Sequence, residues 1–341
     1  MLQGHQSWVF ANRPTIISTG TVVGPFEAQG PLVEDFDLLH GDLWLGQNSY
    51  EKAETKMLEE ACEIAIKKAG LQKQDIQFFL AGDLLNQIIS SSFAARTLAV
   101  PYLGLFSACS TSMESLALGA LIVNSRAGNH VICGASSHNS AVEKQFRYPT
   151  EYGAQRPPTA QWTVTGTGVA LLSAQGEGPQ VTSATIGRII DMGLSDPYNL
   201  GGAMAPAAVD TIVAHFRDLG IPHEEYDLIA TGDLGRVGHQ ISLDLLRKHS
   251  VTLSEEKYTD CGLLIYRENQ PMVFSGGSGC GCSSSVVFGH IINRMKKGEL
   301  KKVLIVATGA LLSPLSYQQK ESIPCIAHAV ALEYREGGVN D

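Results

Sequence analysis

Charge is scarce in this sequence. Asp, Glu, Lys and Arg make up 17% of its 341 residues, against about a quarter in an ordinary soluble domain. With 44% apolar residues, this balance excludes a disordered chain and points to much buried surface, including a subunit interface. Positive charge is the scarcer sign, 25 side chains against 34 acidic ones for a net of −9. Nothing is left over to neutralise a phosphate backbone, so a general nucleic-acid role is excluded. No run of about eighteen apolar residues could span a membrane. The opening residues, Met1 to Trp8, lack a basic stretch followed by an apolar one, so no secretory signal is read there. The seven cysteines are odd in number and scattered, the pattern of a reduced, intracellular protein rather than a disulfide frame. Cys280-Gly281-Cys282 has no second pair at zinc spacing, and no EF-hand spacing occurs, so no resident metal is expected. The stretch Gly276–Gly281 is rich in glycine but is not the dinucleotide pattern, and no acidic residue follows at the required distance.

What the sequence does hold is alternation. Short apolar or β-branched runs (15–21, 76–80, 130–133, 169–173) alternate with helical spacing at 50–68 and with a run at 110–123 that is apolar almost all round. That is an α/β protein with helices covering a sheet, and the second helix lies at its centre. The alternation repeats itself. Residues 76–84 match 226–234 without a gap, placing Asp233 150 residues after Asp83. Ala108-Cys109-Ser110 is echoed by Gly279-Cys280-Gly281, 131–137 by 305–310, and 168–171 by 329–332. The chain therefore reads as two halves, 1–175 and 180–341, joined by the turn-rich Gln175–Gln180.

Two copies of a β/α unit with a cysteine opening the buried helix of the first resemble the thiolase fold, shared with the condensing enzymes of fatty acid synthesis. The runs Ala81–Gln87, Ala108–Ser115, Ser136–Asn139, Gln145–Gly153 and Ala307–Pro314 resemble more narrowly the stage V sporulation protein AD family. The resemblance implies two pseudo-symmetric halves in a layered αβαβα arrangement and a homodimer. It further implies a non-enzymatic protein that binds dipicolinic acid and helps move it into the developing spore. Such a protein works with the membrane proteins of the stage V transport assembly, peripheral to the spore inner membrane. Calcium enters only as the possible companion of dipicolinate, itself a strong chelator; no other cofactor is implied.

Cys109 is the first candidate for chemistry, because a thiol at a helix N-terminus feels the positive end of the dipole. It reads either as a pocket-lining residue or as a small buried hydrophobe. The condensing enzymes it resembles add a histidine and an asparagine from the second half. Here Gly232-Asp233 stands in place of the histidine and Ser275–Cys280 lacks the asparagine, so Cys109 is read as a vestigial nucleophile position. The alternative is a ketoacyl synthase III-like acyltransferase with Cys109 as nucleophile. His239 is read as a residue at a helix start. Asp83 and Asp233 read as helix caps for 84–97 and 234–247; Asp83 has the further reading that it faces Cys109 and binds a proton or a cation. Ser110 adjoins the cysteine. Ser136 and His138 follow an apolar strand, a usual ligand position in α/β folds. Arg147 and Arg156 stand among Phe146, Tyr148, Tyr152 and Trp162, where a guanidinium fork and aromatic rings suit a flat dicarboxylate, or where an ordinary dimer loop runs. Thr165 adds a hydroxyl just after, Arg188 is a further anion donor, and His328, aligned by the repeat with Thr167, reads as facing the pocket or as structural. The ligand-binding set is therefore Asp83, Cys109, Ser110, Ser136, His138, Arg147, Thr165 and His328.

Overall fold

The computed structural model describes residues 1–146 and 156–334. The first half contains strands β1 (Leu2–Gln3), β2 (Ser7–Val9), β3 (Thr15–Val23), β4 (Leu38–Leu39), β5 (Phe78–Gly82), β6 (Tyr102–Gly104), β7 (His130–Ser137), β8 (Trp162–Thr163) and β9 (Gly166–Ser173). Its helices are α1 (Tyr50–Lys68), α2 (Ile89–Leu98), α3 (Thr111–Asn124) and α4 (Asn139–Phe146). The second half contains β10 (Gln180–Thr185), β11 (Leu228–Thr231), β12 (Tyr258–Asp260), β13 (Gly277–Ser278), β14 (Lys302–Ala310) and β15 (Cys325–Glu333). Its helices are α5 (Leu200–Leu219), α6 (Gly235–Lys248), α7 (Cys261–Leu264), α8 (Cys280–Val286), α9 (Ile292–Lys296) and α10 (Pro314–Gln318).

The strands form two matching five-stranded arrays, β6-β5-β7-β9-β3 and β12-β11-β14-β15-β10. In each, the first three strands are parallel and the last two pairings antiparallel. The arrays touch at the pair Gln180↔Thr15. Their inner faces enclose α3 and α8, whose Met113, Leu116, Cys282 and Val286 share one core with Val131 and Ile305. This explains why α3 is apolar all round: it has sheet on both sides. Helices α1 and α2 cover the outer face of the first array through Met57, Ala61 and Ala94, and α5 and α6 cover the second through Met204, Ile212 and Leu246. The layers run αβαβα, as the repeat and the resemblance imply. Helix α1 shows the local logic: Ser49 accepts from Lys52 N at its start, Lys67 and Lys68 sit at its end, and Ala53, Met57, Ala61 and Ala65 line one stripe. That stripe comes so close to β3 that a Cβ on Gly20 would lie 2.0 Å from the Ala61 carbonyl oxygen.

Pairing corrects the repeat alignment in its last strands. Ala135 pairs with Gly168 and Ala307 with His328, so His328 occupies the place of Gly168, not of Thr167. The expected helix from residue 84 is also shorter. Gln87 and Ile88 take left-handed φ values of 52° and 46°, and α2 starts only at Ile89.

Candidate functional site

Cys109 lies in a tight elbow between β6 and α3. Ala108 carries a left-handed φ of 49°, a strained conformation for a residue with a Cβ. Local hydroxyls hold the turn: Ser110 Oγ donates to the Ser107 carbonyl and Thr111 Oγ1 to the Ala108 carbonyl, both at 2.7 Å. The sulfur is buried and faces Asp233, which arrives from the end of β11 in the other half. The Asp233 carboxylate accepts from Thr308 Oγ1 at 2.7 Å, Gly279 N at 3.0 Å and Ser278 Oγ at 3.3 Å, with the Cys109 thiol beside it. Burial pushes Asp233 above the usual carboxylate range, and these donors pull it back. Cys109 is pushed well above its ordinary value, first by burial and then by the Asp233 charge. Burial beside a carboxylate therefore keeps the sulfur as a thiol. A helix N-terminus alone would have lowered its pKa; here burial and a like-signed neighbour outweigh the dipole.

The second cysteine of the repeat, Cys280, opens α8 and faces the first half in turn. Its thiol donates to the Ser136 carbonyl at 2.8 Å, and Glu54, Asp83 and Asp233 are the charges that bear on it. Ser136 Oγ donates to Glu54 at 2.9 Å. Asp83 accepts from Leu85 N at 2.9 Å, Ser91 N at 2.8 Å and Ser91 Oγ at 2.7 Å. Between the two cysteines, Ser112 and Ser283 meet at 2.7 Å, on the axis that relates the halves. Cys109 thus faces a carboxylate of the opposite half, whereas Cys280 bonds to the Ser136 carbonyl there with Glu54 and Asp83 nearby. This corrects two expectations. Asp83 serves α2 and the Cys280 side and is not the carboxylate on Cys109; Asp233 is. Nor does Asp233 cap α6: Asp260 does, accepting from Leu234 N at 2.8 Å and Gly235 N at 2.9 Å. Asp260 is held at about 7 by burial.

The other candidates disperse. Ser110 turns back onto its own elbow, and Ser136 joins Glu54. His138 Nε2 meets the Leu43 carbonyl at 2.9 Å and its ring stacks on Tyr50 at 5.3 Å; burial lowers its pKa. Thr165 accepts from Asn139 N at 3.0 Å, and its own N donates to Glu27 at 3.1 Å. Glu27 is pushed up to about 7 by burial and bonds to Tyr266 of the other half. His328 Nδ1 accepts from Gly187 N at 3.2 Å, and burial lowers it to about 4, so its ring is neutral. His239 lies in α6, stacked on Tyr258 at 4.7 Å. Arg188 is spent on Asp210 at the surface. Arg147, with Tyr148 and Tyr152, lies outside the described residues. No group of three His, Cys, Asp or Glu suited to a metal occurs among the described residues. A surface concavity lined by Pro222, Glu225, Asp227 and Lys302 contains none of the residues around Cys109. Sequence reasoning missed Glu54, Glu27 and Asp260; for Glu54 the signal was its place on the buried stripe of α1, three, four and seven residues before Met57, Leu58 and Ala61.

Residues 4–333 match the family described as stage V sporulation protein AD. A relative of that name from Bacillus subtilis is 48% identical over 339 residues, 99% of each chain. The chain belongs to the stage V sporulation protein AD family. Membership carries a role in sporulation. The solved structures it resembles have thiolase-like folds. Xanthomonas campestris OleA with cerulenin bound aligns with a TM-score of 0.63 at 12% identity, covering 96% of this chain and 100% of that one. Human mitochondrial 3-ketoacyl-CoA thiolase with CoA aligns at 0.61 and 11%, covering 97% and 100%. Aquifex aeolicus 3-oxoacyl-[acyl-carrier-protein] synthase III aligns at 0.55 and 14%, covering 94% and 100%. At these identities the likeness extends to the fold alone. No helix among the described residues is long and apolar enough to cross a membrane.

Proposed function

We propose that this chain binds dipicolinic acid, free or as its calcium chelate, at the Cys109 site without transforming it. In this reading it supports movement of dipicolinate into the developing spore, as a homodimer docked on membrane proteins of the stage V transport assembly at the spore inner membrane. The sporulation family supports the setting. One observation carries the non-enzymatic part: the buried Cys109 thiol lies beside the buried Asp233 carboxylate. Acyl transfer needs a thiolate, a base or electrostatic partner, and donors for the developing oxyanion. Asp233 disfavours the thiolate and already occupies the Gly279 amide. Calcium that travels with the ligand is held by the ligand's own chelating atoms, since the Asp83 oxygens accept from Ser91 and Leu85.

Two assays test this. Equilibrium binding of dipicolinate should be saturable and stronger than that of pyridine-3,4-dicarboxylate; equal binding of the two counts against the reading. Incubation with acetyl-CoA followed by intact-mass measurement should show no adduct. The thiolase-like neighbours include enzymes, and a stable acetyl group on Cys109 would favour a ketoacyl synthase III-like acyltransferase instead.

A further inference from the structure

Among the described residues, side-chain polar atoms buried without a hydrogen-bond partner include Arg156 Nη1, Gln161 Oε1 and Trp162 Nε1, three close neighbours in sequence. Such groups are costly to bury, so a cluster of them asks for an occupant. The backbone here is fixed. Trp162 N donates to the Gly276 carbonyl and Val164 N to the Ser278 carbonyl, both at 2.9 Å, which seats β8 against β13. Gln161 Nε2 reaches the Asp233 carbonyl at 2.6 Å. The Arg156 guanidinium carbon lies 5.1 Å from the centre of the Trp162 ring, and Phe26 packs at 4.9 Å with Tyr266 beyond it at 5.4 Å. Arg156 Nη2 pairs with Glu143 at 3.0 Å, which fixes the fork and leaves Nη1 without a partner. A cationic N–H and an indole N–H with no acceptor, beside an aromatic cluster, match one carboxylate of a flat ring.

We propose that Arg156 and Trp162 form a second, carboxylate-binding subsite for a planar aromatic acid, distinct from the residues around Cys109. The identity of that acid as dipicolinate rests on the proposed function; the subsite's geometry does not.

The test uses the full chain with Trp8→Phe and Trp44→Phe, so that Trp162 is the remaining tryptophan. Its emission and calorimetric heats are followed on titration with dipicolinate, benzene-1,3-dicarboxylate and benzoate. The expected result is a saturable change in Trp162 emission that Arg156→Gln weakens at least tenfold, Arg156→Lys weakens less, and Trp162→Phe weakens severalfold in calorimetry, with unchanged melting temperatures. Saturable, Arg156-dependent binding of the benzene acids without preference for dipicolinate would keep the subsite and remove the ligand reading. Dipicolinate binding that leaves Trp162 emission unmoved and survives both Arg156→Gln and Trp162→Phe would overturn the subsite and keep the reading. No binding of any of the three acids would overturn both.

Discussion

A thiol beside a carboxylate is a poor nucleophile, because ionising it would set two negative charges side by side. At Cys109 that neighbour is Asp233. Replacing Asp233 with Asn removes the charge and keeps the shape. The thiol pKa should fall, although burial, the larger cause, keeps it above its ordinary value. At fixed alkaline pH, Cys109 alkylation by iodoacetamide should accelerate by about tenfold for each unit of the fall. An unchanged rate profile would mean that Asp233 does not control the sulfur. The sequence shows both residues of this pair plainly, and the resemblance sets Asp233 where the condensing enzymes place the histidine that faces their cysteine, which is where the structure has it. The reading of Asp83 as the carboxylate facing Cys109 is the one that fails, because Asp83 is turned to Leu85 and Ser91.

At the scale of elements, the N-terminal hairpin β1–β2 depends on one carboxylate at the end of α5. Asp218 Oδ2 accepts from Gln6 N at 2.9 Å and Ser7 Oγ at 3.1 Å, and Arg217 adds two bonds to Oδ1. Burial opposes ionisation, yet these donors lower its pKa to about 2 from 3.8. Because the folded value lies below the unfolded one, the stabilisation is present above about pH 4 and is lost as pH falls toward 2. Asp218→Asn should cost about 1–3 kcal/mol, read from denaturant unfolding at neutral pH, and should cost nothing further near pH 2. Gly4→Ala should also destabilise, since Gly4 has φ 64° and a Cβ there would fall 2.4 Å from Asp218 Cγ. The hairpin is invisible to pattern reading: two- and three-residue strands carry too little periodicity to detect, and their partner lies more than two hundred residues away. By contrast α1 and α3 were legible at once, since one shows an amphipathic stripe and the other apolar residues on every side.

At the scale of the whole molecule, duplication was the most readable property. The gapless match around Asp83 and Asp233 marks two halves, and the two strand arrays have the same order and directions. Their edges differ. Strand β12 has Tyr258 and Asp260 buried, whereas Leu103 in β6, Phe106 just after it and Phe93 in the neighbouring α2 are 46%, 51% and 43% exposed. An apolar edge strand with unpaired backbone is a template for a second chain. The proposed homodimer therefore uses this edge, and Phe106→Glu should halve the mass seen by light scattering; a full-mass dimer would exclude it. The central claim is that the Cys109 site holds an acid and leaves it unchanged, and the most direct measurement is an experimental structure of the chain with dipicolinate bound. The account expects the intact acid beside Cys109 and Asp233, with no covalent bond to sulfur. Dipicolinate found only elsewhere, or a ligand carbon bonded to Cys109 Sγ, would contradict it.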